Sequence, residues 1–168
     1  MKQEIRFRLN SQDVTMSVEP NLTLLDMLRE ELQMTSAKRS CEQGECGACT
    51  VIMDGITVNA CLVLAISVDG AHIETIESLG ATTLHPLQVH FKDLAASQCG
   101  FCTPGMILSA KALLDRNTDP TEEDVKEGLA GNMCRCTGYV KPVQAVLAAA
   151  KDLREQAKQG WERSHEFR

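Results

Sequence analysis

Cys41-Glu42-Gln43-Gly44-Glu45-Cys46-Gly47-Ala48-Cys49-Thr50 packs three cysteines into one short run. Their spacing is C-x4-C-x2-C, and a fourth, Cys61, follows at the end of a predicted hairpin strand. This is the plant-type ligand spacing for a 2Fe-2S cluster. Three thiolates that converge on one small inorganic core force the backbone to curl around it with its N–H groups inward. Gly44 and Gly47, which lack Cβ, permit the positive φ and close approach this needs. N–H groups so placed can hydrogen-bond to sulfur and raise the reduction potential. Zinc also accepts four cysteines, but structural zinc usually shows two C-x2-4-C knuckles rather than this run. Buried structural thiols fit worse, since one loop would have to bury three.

The remaining four of the eight cysteines form a second set: Cys99 and Cys102 in Gln98-Cys99-Gly100-Phe101-Cys102-Thr103-Pro104-Gly105, then Cys134 and Cys136 in Gly131-Asn132-Met133-Cys134-Arg135-Cys136-Thr137-Gly138-Tyr139. Each pair stands just before a predicted helix, so two positive dipole ends can face an anionic, thiolate-bound centre. The spacing suits a second cluster and also admits zinc. A thioredoxin-like use of Cys99 and Cys102 lacks the βαβ pattern that should surround it. Two thiolate tetrads in 168 residues point to two redox centres in series.

Composition bounds the rest. The length allows one domain or two small ones stabilised by metal. Apolar residues make up 43% and aromatics only 4%, so small aliphatic side chains must fill much of the interior. A net charge of −6 argues against binding a phosphate backbone, which needs clustered Lys and Arg; nucleic acid is not an expected partner. No run approaches the ~18 apolar residues of a membrane span. The start, MKQEIRFRLN, has no apolar signal region, so a cytoplasmic chain with reduced thiols is expected.

The apolar period changes near residue 80, which gives an α+β chain. Ile5, Phe7 and Leu9, then Val14, Met16 and Val18, alternate around a turn at Asn10-Ser11-Gln12-Asp13 and predict a hairpin. Thr23 can cap a short helix through Leu24, Leu25, Leu28 and Leu32. Thr50–Met53 and Ile56–Asn59 flank Asp54-Gly55, the strongest hairpin signal in the chain, and His72–Ile76 reads as a last strand. Beyond Gly80 the pattern is helical: one helix from Pro86 toward Ser97, one with Thr103 as cap and Pro104 at its first position, one capped by Thr121, and an Ala-rich one from Val143 to Ala157. Gly160–Arg168 reads as a frayed tail.

CEQGECGACT (41–50), QCGFCTPGM (98–106) and GNMCRCTGY (131–139) closely resemble the iron-sulfur (small) subunits of molybdenum hydroxylases, the family of xanthine dehydrogenases, aldehyde oxidoreductases, carbon monoxide dehydrogenases and nicotinate dehydrogenases. The resemblance covers about residues 3–155. It implies a ferredoxin-like β-grasp domain over residues 1–80, a helical four-helix-bundle domain over 81–160 and a tail at 161–168, with a 2Fe-2S cluster in each domain. Cys41, Cys46, Cys49 and Cys61 match the ligands on the flavin side. Cys99, Cys102, Cys134 and Cys136 match those beside the molybdopterin. Gln98 and Cys136 match residues close to the pterin. The resemblance further implies a large molybdopterin subunit, often a medium FAD subunit, and no substrate site on this chain. Electrons would leave molybdenum, cross both clusters and reach FAD, most commonly in a xanthine dehydrogenase-type enzyme. The other class of function is a free-standing two-cluster ferredoxin carrier.

Other residues read more plainly. Arg135 suits a solvent or interface ion pair, Tyr139 packing, and Lys38 and Arg39 a solvated loop. His72, His85, His90 and His165 have no spacing that converges with the thiols. Ser40 stands where the family usually has glycine, and would cost about 1 kcal/mol if the position needs positive φ. Pro142 fits the first turn of the last helix.

Overall fold

The computed structural model describes residues 1–80 and 83–165, with side chains described through residue 159. β1 (Gln3–Leu9) and β2 (Gln12–Val18) pair antiparallel with Leu9 opposite Gln12. Asn10 in the turn takes φ 55°, a left-handed conformation that asparagine tolerates better than most residues. Ile5, Phe7 and Leu9 are buried while their neighbours along the strand are exposed, as a two-residue period requires.

Thr23 Oγ1 accepts from Asp26 N at 3.0 Å and starts α1 (Leu24–Asp26), which widens at once into a π turn over Met27–Glu31. Leu24, Leu25, Met27 and Leu28 are fully buried and belong to one core with the strands. β3 (Thr50–Met53) and β4 (Ile56–Asn59) form the expected hairpin. Asp54 and Gly55 at its tip both have positive φ, 49° and 84°, as a primed turn demands. β5 (His72–Glu74) lies parallel to β1 and antiparallel to β3, which gives the order β2-β1-β5-β3-β4.

β5 stops two residues short of the expected Ile76 because a side chain takes the next backbone group. Asn10 Oδ1 accepts from Thr75 N at 2.8 Å and Asn10 Nδ2 donates to Thr75 Oγ1 at 3.1 Å. The chain then turns into a 3-10 segment, Ile76–Ser78.

Four helices complete the chain: α2 (Pro86–Asp93), α3 (Thr103–Arg116), α4 (Glu122–Leu129) and α5 (Val140–His165). α2 is capped by His85, whose Nδ1 accepts from Leu87 N at 3.2 Å while Gln88 Oε1 accepts from His85 N at 2.9 Å. It ends at Asp93, before the expected Ser97. Ala95 takes φ 53°, and the amides of Ala95 and Ala96 turn back to the carbonyls of Lys92 and Phe91, a Schellman cap. The cap of α3 is Cys102 rather than Thr103; Thr103 is its first helical residue, and its hydroxyl pairs with Ser97 Oγ at 2.8 Å. Thr121 caps α4 as expected, and with Asp124 it forms a capping box. α5 starts at Val140, ahead of the expected Val143, and stays helical through His165, into the stretch read as a tail; the rest of that stretch, 166–168, lies outside the described residues.

α2 packs on α5, α3 on α4, and α4 on α5. Leu87, Phe91, Met106, Val125, Leu129 and Val146 anchor this second core. A small third cluster, Ile52, Leu108 and Ala112, joins α3 to β3, and Lys111 Nζ reaches Glu74 at 3.3 Å across the same seam. The fold is α+β, a mixed sheet over a short helix followed by a four-helix bundle. No described helix is long and apolar enough to cross a membrane.

Candidate metal centres

The first cysteine loop bends as its glycines allow: Gly44 has φ 80° and Gly47 has φ 65°. The position of positive φ near Cys41 is Glu42, at 55°, not Ser40, so serine carries no backbone strain there. Asn59 Nδ2 donates to Gly44 O at 2.9 Å and ties the loop to β4. Arg39 pairs with Asp26, Glu30 and Glu42 and ties it to α1. Gln43 N donates to Cys41 Sγ at 3.4 Å. That amide, with those of Cys46 and Glu45, holds the Cys41 thiol down at about 6. Burial instead pushes Cys49 up to about 12. Cys41 interacts with Cys46, and Cys49 with Cys61 and more weakly with Cys46.

The second set collects at two helix starts, Cys99 and Cys102 leading into α3, Cys134 and Cys136 into α5. Cys136 Sγ lies 3.7 Å from Cys99 Sγ, and Cys102 neighbours Cys134. Burial pushes Cys102 up to about 12. Burial also acts on Cys134, but the Thr137 hydroxyl at 3.2 Å and the amides of Thr137 and Cys136 outweigh it and hold the thiol at about 7. The contact with Cys99 raises Cys136. Gln98, Cys99 and Cys136 are exposed, as are Phe101 and Met133 beside them.

Each tetrad thus contains two close sulfur pairs, near enough to act on each other. Among the described residues, no three Cys, His, Asp or Glu side chains gather tightly enough to hold a single metal ion. A 2Fe-2S core takes four thiolates, two on each iron, so a two-by-two set suits it. A lone tetrahedral zinc needs all four sulfurs around one point and suits it less.

The two loops meet directly. Met133 N donates to Cys46 O at 2.9 Å, and Asn132 Nδ2 donates to Gly47 O at 3.0 Å and Thr50 Oγ1 at 3.2 Å. A Cβ on Gly105, in the first turn of α3, would lie 2.4 Å from Gly47 O.

Residues 7–76 match the 2Fe-2S iron-sulfur cluster binding domain family, and residues 75–147 match the 2Fe-2S binding domain family. The chain is 49% identical over 146 residues to the nicotine 6-hydroxylase small subunit of Paenarthrobacter nicotinovorans, covering 87% of this chain and 88% of that one. It is 49% identical over 150 residues to the nicotinate dehydrogenase small FeS subunit of Eubacterium barkeri, covering 88% and 94%. The chain belongs to the iron-sulfur subunits of the molybdenum hydroxylases. Its fold superposes on the crystal structure of quinoline 2-oxidoreductase from Pseudomonas putida 86 with TM-score 0.87 and 40% identity, over 92% of this chain and 97% of that one. As an oxidoreductase subunit with two 2Fe-2S-binding domains, it serves electron transfer.

In this iron-sulfur subunit the other sequence candidates have separate tasks. His72 Nε2 contacts Asn10 O at 2.8 Å, His85 caps α2, and His90 pairs with Asp152 at 2.7 Å. The side chain of His165 lies outside those described. Arg135 is exposed, and Arg39 is held by acids of its own chain rather than free for docking. Asn132, only 2% exposed, and the Tyr139 hydroxyl join the site without having been singled out for it; a polar side chain in an otherwise cysteine-bearing loop was the available signal.

Proposed function

We propose that this subunit is an internal wire between two partner subunits. Electrons enter from a molybdopterin centre at the tetrad of Cys99, Cys102, Cys134 and Cys136, pass to the tetrad of Cys41, Cys46, Cys49 and Cys61, and leave to FAD. The observation that carries the reading is the hydrogen bond from Met133 N to Cys46 O at 2.9 Å. It joins the neighbour of one proposed ligand to the backbone of another, so covalent bonds and one hydrogen bond link the tetrads. When bound, each 2Fe-2S cluster supplies a one-electron acceptor and donor.

The chain's own residues hold and orient. Cys102 and the Cys134–Cys136 loop present the starts of α3 and α5, whose dipoles favour the anionic centre. Gln98 and Cys136, both exposed, form the edge offered to the pterin, where a carboxamide can pair with a donor and acceptor edge. We place the division between the two cluster domains at residues 1–80 and 81–160, and the complex in the cytoplasm. For the holoenzyme we favour hydroxylation of an N-heteroaromatic ring, of which the xanthine dehydrogenase type is one form. The relatives named for nicotine, nicotinate and quinoline support this class.

Purification at native expression levels, followed by mass spectrometry and iron, molybdenum and flavin analysis, tests the reading. Co-purifying molybdenum and flavin subunits are expected, with bleaching of both clusters by xanthine, nicotinate or quinoline in preference to an aldehyde. A lone polypeptide that still carries both clusters would sink it in favour of a free-standing carrier.

A further inference from the structure

Tyr139 has φ 66°, a conformation that costs a residue with a side chain about 1 kcal/mol. Its ring packs against the helical core, which phenylalanine could do equally well. The hydroxyl has a different task. It accepts from Cys134 N at 2.8 Å and donates to Asn132 O at 3.1 Å, so one phenol oxygen closes the loop that carries Cys134 and Cys136. Asn132, at the start of that loop, is buried. Its carboxamide nitrogen crosses to the other half of the molecule and donates to Gly47 O and Thr50 Oγ1. Thr50 Oγ1 in turn donates to Gly47 O at 2.7 Å. The chain of contacts therefore runs from the Cys134 amide through Tyr139 and Asn132 into the turn between Cys46 and Cys49.

We propose that Tyr139 and Asn132 are positioning residues: a latch that fixes the Cys134 loop on the Cys46 loop and sets the surroundings of the second tetrad. The inference rests on the two-cluster reading above. Its physical content is twofold. While the phenol takes the Cys134 amide, that N–H is withheld from sulfur, and hydrogen bonds to cluster sulfurs are one determinant of potential. While the Asn132 carboxamide spans the seam, its contacts with Gly47 O and Thr50 Oγ1 add to the Met133 N–Cys46 O hydrogen bond in fixing the spacing of the two tetrads.

Two near-isosteric variants separate these effects in the full-length chain, purified with its clusters and the subunits that accompany it. Tyr139→Phe keeps the ring and removes only the hydroxyl. Asn132→Asp keeps the shape and removes both donors. Redox titration followed by electron paramagnetic resonance should show the midpoint potential of one cluster shifted in Tyr139→Phe while the other is unchanged. The splitting that arises from magnetic interaction between the two reduced clusters should change in Asn132→Asp. Wild-type potentials in the first variant together with wild-type splitting in the second would overturn the latch. Absence of two 2Fe-2S signals from the wild-type chain would instead overturn the two-cluster reading, so the two failures are distinct.

Discussion

Gly47 and Gly131 meet backbone to backbone: a Cβ on Gly47 would lie 2.2 Å from the Gly131 carbonyl oxygen and 2.6 Å from Asn132 Nδ2. Neither neighbour can yield cheaply, because one is main chain and the other a buried amide with its hydrogen bonds made. Gly47 also has positive φ.

Gly47→Ala is therefore expected to cost about 3 kcal/mol, about 1 from the backbone conformation and the rest from overpacking. For a chain of this size that lowers Tm by roughly 6–12 °C. Gly55 is the control. Its φ is 84° but nothing lies within 4 Å of a Cβ built there, so Gly55→Ala should cost only about 1 kcal/mol. Thermal unfolding followed by circular dichroism compares the two; equal losses would show that the seam is not tightly packed.

Asn10 gives a second test. It spends its side chain on Thr75, a residue with no exposed surface, across 65 positions of sequence. Asn10→Gly relieves the positive φ but loses both hydrogen bonds, so it should destabilise by about 1–3 kcal/mol, the cost of stranding a buried donor. Asn10→Ala adds the conformational cost and should lose about 1 kcal/mol more. Urea unfolding of the pair measures the difference.

These positions also mark where sequence reading stopped. The hairpin at Asp54-Gly55 and the cap of Thr121 on α4 were legible because the residues that decide each of them are adjacent or nearly so in sequence. The eight cysteines were legible as two sets by spacing alone; their pairing within each set was not, since Cys99 meets Cys136 and Cys49 meets Cys61 only after folding. The end of β5 depends on Asn10, and the seam on Asn132 reaching Gly47 85 residues away. The end of α2 was missed for a local reason. Ala95 occupies a left-handed cap position where glycine is the usual signal.

His85 makes the start of α2 sensitive to pH. Its Nδ1 must stay unprotonated to accept from Leu87 N, and burial, with the Lys111 cation, lowers its pKa from 6.5 although Asp115 pulls the other way. A lowered folded value means that protonation favours the unfolded chain. The stability contributed by the neutral cap is complete above the unfolded value and is lost as pH falls through the lower folded one. About 1 kcal/mol is at stake, the worth of a helix cap. Asn also caps well and does not titrate. Between pH 7.5 and 5, the urea midpoint of His85→Asn should therefore fall less than that of the native chain.

The two-by-two pairing predicts selective loss. Cys61→Ser should remove the first cluster and leave the second, because Cys61 pairs with Cys49 inside its own tetrad. Cys102→Ser should do the reverse through its pair with Cys134. Iron analysis should give about half the native content in each variant, with one of two paramagnetic signals missing. Bound zinc at the second site in place of iron would contradict the wire.

Gln98 tests the far end of that wire without touching a ligand. It is exposed beside Cys99, and no hydrogen bond of its side chain is found among the described residues, so the chain itself gives the carboxamide no structural task. Gln98→Ala should leave stability within about 0.5 kcal/mol of native, as surface changes generally do. Both cluster spectra should be intact as well. If the carboxamide meets the pterin, the same variant should slow reduction of the clusters by substrate, or lose molybdenum on purification, by about five- to tenfold for one hydrogen bond of about 1–1.4 kcal/mol. Gln98→Glu, which keeps the length but not the donor, should fall on the same side. Unchanged reduction rates and molybdenum content in both variants would leave Gln98 an ordinary loop residue and move the pterin contact to Cys136 alone.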